Sequence, residues 1–472
     1  MRKIRVGLLT FSDGRDYIHN DLLTLNRRYQ DEIRHVLETK GEVEVIAGQE
    51  IIGDNATAKR EAQRLCAEGA ELTIFNYAIW CYPQFTAVAC NFAPGPYLLF
   101  CNLHPSECGM VGMLAASGTL DQLNVPHERI WGSIHDDAVF KKAMVFIRAA
   151  SAISRLKGLT FGNFGGRPLG MYTAVSNLEQ WQRMFGIDVE NIEQEDIVRY
   201  GNRADSSRVE RALEWLEKHV GEIKYDGKGL TPEKLKLQIR SYYGLRQLIE
   251  ERHLDFIGIK GHGDLTETYV TMDLAEAFLN DPYDWDGPHE PIVASTEADM
   301  DGALTMQIFK HLSGFPVLFA DVRHYDHEDD LWYFSNSGTH ATFFAGKSYN
   351  AEENLRYVTF FPEHNYYPAG GASVHHFAAP GEVTLARLTR KDGKYRLALV
   401  PAEFVELPRE EALRKGSTVT PEWPVAFARL KVSANEFLSS FPCNHIHGVY
   451  GNYIDEWLII AKLLGIETKL FA

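Results

Sequence analysis

Short apolar runs alternate with longer amphipathic stretches through the first third of the chain. Val6–Phe11, Val43–Ile46, Glu71–Phe75, Tyr97–Cys101 and Ile130–Ile134 are each a brief apolar run bounded by polar or turn-forming residues, which predicts strands. Asp21–Thr39, Ala56–Glu68 and residues 136–157 carry the longer period of helices. Strands separated by helices predict a parallel sheet covered on both faces. The pattern begins again at Leu159–Asn163. Strands Phe256–Lys260 and Pro291–Ser295 and helices Ser206–His219, Glu233–Glu251 and Met300–Leu312 follow it, with a polar loop over Tyr225–Pro232. From Phe315 onward the texture changes. Pro316–Ala320, Leu331–Phe334, Tyr357–Phe361, Val383–Leu388 and Tyr395–Val400 read as strands with little helix between them, and a last helix spans Tyr453–Leu464. The expected fold is α/β: two doubly wound parallel-sheet domains, 1–157 and 158–312, then a β-rich C-terminal domain, 313–472.

Size and charge narrow the function. A chain of 472 residues is too long for one ordinary core. Its formal charge of −16, with no Lys/Arg block to offset it, argues against nucleic acid and anionic membranes as partners. The six cysteines form no Cys-x-x-Cys pair, so no zinc site is signalled and free thiols are expected. The apolar run after Met1 meets Ser12-Asp13 too soon for a signal peptide, and no stretch approaches the ~20 apolar residues of a membrane span. The expected compartment is the cytoplasm.

Candidate chemistry lies late in the chain. Glu297 leaves the apolar run Pro291–Ser295, and Asp321 ends the run Pro316–Ala320. One helix joins the two. Such an acid is either a helix cap or a site residue. Thr296 is the better placed cap, which frees Glu297 for other work. Two strand-end acids so connected point to a site. Two carboxylates and one imidazole suit Mn²⁺, with Mg²⁺ or Co²⁺ as alternatives, better than structural zinc. A metal there would polarise a carbonyl while a carboxylate moved a proton between adjacent carbons. His445 and His447, in Cys443-Asn444-His445-Ile446-His447, share a face if that segment is extended. His340, His375 and His376 are weaker candidates. The glycine clusters Gly162–Gly166 and Gly258–Gly263 follow strands but match neither a dinucleotide nor a phosphate-loop pattern. They are read as tight turns that let a small ligand approach the backbone. Trp332-Tyr333-Phe334 reads as core.

At these residues the sequence resembles the L-fucose isomerase family. The motifs are Asp284-Trp285-Asp286-Gly287-Pro288-His289-Glu290-Pro291, Ser295-Thr296-Glu297, Phe319–Arg323 at the family's spacing, Asn336-Ser337-Gly338, Asp13-Gly14-Arg15 and Trp80-Cys81-Tyr82. The resemblance implies a metal-dependent aldose–ketose isomerase with two α/β domains and a β-rich third, whose site lies between domains of a hexamer. Carried over, Glu297 and Asp321 are metal ligands and the acid/base pair. His445 is the third ligand, because the family's histidine follows an Asn, here Asn444. Arg15, Trp80, Lys260 and Asn444 fall near substrate, and Trp80 reaches a neighbouring subunit's site. The chain departs from the pattern in being shorter. Lys260 replaces a Gln, Ala372 replaces a Tyr, and His375-His376 replace a Ser-Arg pair. An added cation and an enlarged pocket suit an anionic hexose such as sulfoquinovose as well as a sugar of the L-fucose/D-arabinose type. A salt bridge to a nearby carboxylate is the alternative reading of Lys260. Two other readings stay open: a non-catalytic sugar-binding protein on the isomerase fold, and a metal-dependent sugar aldolase or epimerase.

Overall fold

The computed structural model describes residues 3–337, 340–363 and 366–472. The chain divides into two compact units, Met1–Leu156 with Asp455–Gly465, and Lys157–Ile454 with Ile466–Ala472. The second and third domains expected from sequence thus form one unit, and the last helix belongs with the first.

The first unit is a five-stranded parallel sheet. Its order is Val43–Ala47, Ile4–Phe11, Leu72–Tyr77, Tyr97–Cys101 and His127–Trp131. Leu72–Tyr77 is buried throughout and Tyr97–Cys101 from Leu98 onward, as strands covered on both faces must be. The edge strand lies three residues earlier than the expected Ile130–Ile134, because Gly132 turns the chain away at φ 122°. The helix Ile454–Leu464 joins this unit through Lys462 on Glu128 at 2.6 Å and Glu456 under Arg148.

The second unit holds a four-stranded parallel sheet in the order Ala294–Thr296, Phe256–Ile259, Thr160–Phe164, Asp188–Ile192. Its helix Pro232–Glu251 buries one face in an apolar cluster that includes Leu235, Ile239 and Leu248. Pro at the first position and Thr231 capping the Lys234 N–H explain where it starts.

The β-rich part is a closed antiparallel barrel. Gly381–Lys391 pairs with His445–Tyr450, which pairs with Leu318–Asp326. The ring continues through Leu331–Ser335, Val425–Leu430 and Lys394–Phe404, and the last returns to Gly381–Lys391. Closure removes exposed strand edges. Leu318, Ala320, Trp332, Phe334, Leu385 and Ile446 fill the interior. Strand side chains alternate, so Phe319, Asp321, His445 and His447 face the other way. The barrel also lengthens Asp321's strand. Asp321 does not end it, since pairing continues to Asp326 after the residues turn polar.

Gly448 lies where the barrel strands crowd. A Cβ there would stand 2.4 Å from Leu385 Cδ2 and 2.7 Å from the Thr384 carbonyl oxygen. Gly448→Ala is therefore expected to destabilise the second unit by about 1–3 kcal/mol. Urea unfolding followed by tryptophan fluorescence checks this, and an unchanged midpoint would refute the crowding.

Candidate active site

Strand Ala294–Thr296 delivers Glu297 into a turn, not into a helix. Glu297 and Ala298 both adopt left-handed backbone, φ 56° and 45°. For residues other than glycine this costs of order 1–3 kcal/mol each and persists only where the surroundings enforce it. Here the Ala298 N–H donates to the Ile259 carbonyl of the neighbouring strand. The two turn residues move the helix start beyond Thr296. Asp299 is the N-cap of Met300–Ser313, accepting the Gly302 N–H at 2.9 Å, which corrects the expectation that Thr296 caps it.

Asp321 and His445 are directly opposite in the barrel, and Phe319 is opposite His447. The Phe319 ring lies 4.7 Å from both imidazoles. His445 is fully buried. Its Nδ1 is 2.7 Å from Asp299 Oδ2, and its Nε2 is 2.9 Å from Glu297 Oε2 and 3.5 Å from Asp321 Oδ1. Asn444 and Asn336 donate to the two oxygens of Asp321 at 3.2 and 3.1 Å. Asp299 is in turn gripped by Arg387, with Nη1 at 2.5 Å and Nη2 at 3.0 Å, both partners fully buried. Arg387 also lies 2.9 Å from His447 Nε2. His447 is thereby an acceptor turned to the arginine, and His445 is the imidazole that meets the acids.

The electrostatics follow from these contacts. Burial pushes Glu297 up, but hydrogen bonds from His262 and His445 outweigh it and leave the carboxyl lowered to about 2. Burial likewise opposes ionisation of Asp299, yet the Arg387 charge and the His445 hydrogen bond hold it below the carboxylate range. Asp321 is raised, because burial dominates over the charge of His445. Burial disfavours the His445 cation, but hydrogen bonds to Asp299 and Glu297 raise it well above an ordinary histidine. His447 is lowered by burial and the adjacent guanidinium.

Among the described residues no three His, Cys, Asp or Glu side chains are already grouped as a metal site. Ion pairing draws Glu297, Asp321 and His445 together instead. The donor set nevertheless fits a small divalent cation. Octahedral ligands about 2.1 Å from such an ion stand about 3 Å apart, close to the His445–carboxylate separations. His445 Nε2 is buried and turned to both acids, at 2.9 and 3.5 Å. Asp299 on Nδ1 fixes the ring so that Nε2 faces the acids, the usual outer partner of a ligating histidine.

Lys260 pairs with Asp264 at 2.9 Å, the alternative reading of this side chain. Ala372 is fully buried in the second unit's apolar core, with both backbone groups on Gln238, and is not a pocket wall. Arg15 and Trp80 belong to the first unit. They line one cavity of about 520 Å³, and Arg15 is bound to Asp13 through two hydrogen bonds, at 2.9 and 2.6 Å. His375 Nδ1 lies 2.8 Å from the Trp423 carbonyl, and His340 and His376 are buried 6.0 Å apart. No ion pair links these three to the acids among the described residues. Gly338 lies outside the described residues.

Sequence reasoning missed Asp299, Arg387, His262 and Asn336 as members of the site. Asp299 carried a signal, an Asp three residues before Gly302 at the head of a helix. So did Arg387, a lone charge in the apolar run Val383–Leu388.

The match to the domains of a known isomerase makes the chain an isomerase, an intramolecular oxidoreductase. Comparison with known proteins makes the class specific. Models of the first N-terminal, second N-terminal and C-terminal domains of L-fucose isomerase match residues 3–158, 250–314 and 334–471. The chain belongs to the L-fucose isomerase family and is an aldose–ketose isomerase of the fucose type. It is 22% identical to an L-fucose isomerase of Haemophilus influenzae (strain PittEE) over 99% of this chain and 92% of that protein. An L-fucose isomerase of Klebsiella pneumoniae is 25% identical over 62% of this chain and 55% of its own length. The family needs a metal.

The Asp299 contact has a measurable consequence. Asp299→Asn keeps the shape but removes the charge that orients His445 and neutralises Arg387. Activity or metal affinity should fall about 10–100-fold. Steady-state kinetics and metal titration check it, and wild-type values for both would refute the orienting role.

Proposed function

We propose that the chain is a metal-dependent ketol isomerase that interconverts a free aldose and its ketose by proton transfer between C1 and C2. The observation that supports this most is that His445 Nε2 meets both acids, at 2.9 Å from Glu297 Oε2 and 3.5 Å from Asp321 Oδ1. Glu297, Asp321 and His445 would hold Mn²⁺, with Mg²⁺ or Co²⁺ as alternatives. Bound there, the ion supplies a Lewis acid for the two substrate oxygens nearest the reacting carbons. Asp299 orients His445. Asn336 and Asn444 hold the Asp321 carboxylate, and Asn444 would also meet a sugar hydroxyl. One of the two acids takes the proton from the substrate carbon and returns it to its neighbour, a contribution of about 10²–10⁴-fold.

The substrate class we favour is a sugar of the L-fucose/D-arabinose type. An anionic hexose such as sulfoquinovose loses support because the Lys260 charge is matched by Asp264 and Ala372 opens no pocket. Arg15 and Trp80 would complete the sugar site in a homo-oligomer, a hexamer by family resemblance, with Trp80 reaching a neighbouring subunit. A cytoplasmic location accords with this chemistry. No helix among the described residues is long and apolar enough to cross a membrane.

The test is incubation of the Mn²⁺-loaded protein with L-fucose, D-arabinose and sulfoquinovose in D₂O, followed by NMR. Ketose carrying solvent deuterium is the expected product. Glu297→Gln and Asp321→Asn should each lower kcat by about 10²-fold or more. Cleavage products would indicate an aldolase, and an epimeric aldose an epimerase. Binding of sugar without turnover of any aldose, with Mn²⁺ saturating, would sink the isomerase reading.

A further inference from the structure

The parallel sheet of the second unit changes direction at one place. From Thr160–Phe164 the chain adds Asp188–Ile192 on one side, then returns to add Phe256–Ile259 on the other. Where neighbouring strands diverge in this way, a crevice opens outside their carboxyl ends, and ligands bind there. The loop that follows Phe256–Ile259 begins at this switch point and carries His262.

His262 meets the oxygen of Glu297 that His445 does not contact. Its Nε2 lies 3.5 Å from Glu297 Oε1, while Glu297 Oε2 faces His445 at 2.9 Å. Each oxygen of Glu297 therefore has its own imidazole. The approach is enforced by packing. A Cβ on Gly261 would stand 3.2 Å from Thr296 Oγ1 and 3.3 Å from Glu297 Cγ, so the loop already presses on the strained turn. On its far side the His262 ring lies 5.0 Å from the ring of Tyr367, whose hydroxyl meets Ser337 at 2.9 Å. Lys260 and Asp264, which flank it, neutralise each other. The His262 side chain keeps 18% of its surface open, in contrast to the sealed His445.

We propose that His262 is a positioning residue for Glu297. Its N–H holds Oε1, fixes the carboxylate against rotation, and aims Oε2 at His445 and Asp321. This rests on the assignment of Glu297 as a metal ligand. The left-handed turn gives Glu297 little help from its own backbone, so the two imidazoles set the carboxylate plane between them.

Three variants separate the hydrogen bond from the packing. His262→Phe keeps a ring against Tyr367 and removes the donor. His262→Gln restores an N–H, and His262→Ala removes both. Mn²⁺ affinity is read from the electron paramagnetic resonance signal of free Mn²⁺, and kcat and KM are read on the aldose that the wild type converts. His262→Phe and His262→Ala should each bind Mn²⁺ about 10–100-fold more weakly, the usual loss for an outer-shell partner. Once Mn²⁺ is saturating, their kcat should be lower and KM little changed. His262→Gln should recover most of the affinity. Wild-type Mn²⁺ affinity and kcat in His262→Phe would overturn the inference and leave the isomerase reading standing. A wild-type protein that neither binds Mn²⁺ nor converts an aldose would remove both.

Discussion

The buried contact of Asp299 with Arg387 and His445 is the constraint on which the site depends. Charges withdrawn from water survive only when they are paired and hydrogen-bonded. Asp299 meets that demand with both carboxylate oxygens: Oδ1 takes the Gly302 N–H and Arg387, and Oδ2 takes Arg387 and His445. Removing one partner of such a buried pair leaves an uncompensated charge and typically costs about 3–5 kcal/mol. One side chain thus ties together a helix N-terminus, a barrel strand through Arg387, and the barrel strand that carries His445. Arg387 adds a fourth attachment at the Thr173 carbonyl. The imidazole is held to one orientation by the same carboxylate that caps the helix.

Around that anchor the fold concentrates its departures from ordinary geometry. The turn at Glu297 and Ala298 stores backbone strain beside the carboxylate. The Ala298 N–H is fastened to Ile259 of the parallel sheet, on the apolar and fully buried strand Phe256–Ile259. The Glu297 carboxylate is met by His262 and His445 on its two oxygens, which suits a group that must be placed before chemistry begins. The barrel supplies the complementary half. Asp321 and His445 sit on adjacent strands in register, so their relation is fixed by ladder hydrogen bonds and not by loops.

Much of this was legible in the sequence where a single element sets the outcome. Tyr97–Cys101 and Ser206–His219 fall where the apolar period places them. Glu297 and Asp321 stood out because each follows an apolar run, and His445 because it follows Asn444 as the histidine of the resembled family follows an Asn. Elements that depend on distant partners were not legible. The short strand His445–Tyr450 is a strand because Leu318–Asp326 and Gly381–Lys391 flank it, and its own residues say little. Asp321 looked like a strand end because the apolar run stops there, although barrel pairing continues beyond it. His262 was invisible as a site residue for the same reason, since Glu297 lies far from it in sequence.

The sequence by itself determined the α/β order of the first unit, the β-rich texture of the last third, and the acid pair with its histidine. Those properties are written in local periodicity and in polar residues placed after apolar runs. Only the tertiary structure decided that Asp299 and not Thr296 caps the helix, that Lys260 is neutralised by Asp264, and that Ala372 is core. It also decided that His447 serves Arg387 while His445 meets the acids. Two histidines on one face of one strand are equivalent to any local rule. What separates them is which buried charge each meets across the fold, and that is a matter of three-dimensional packing.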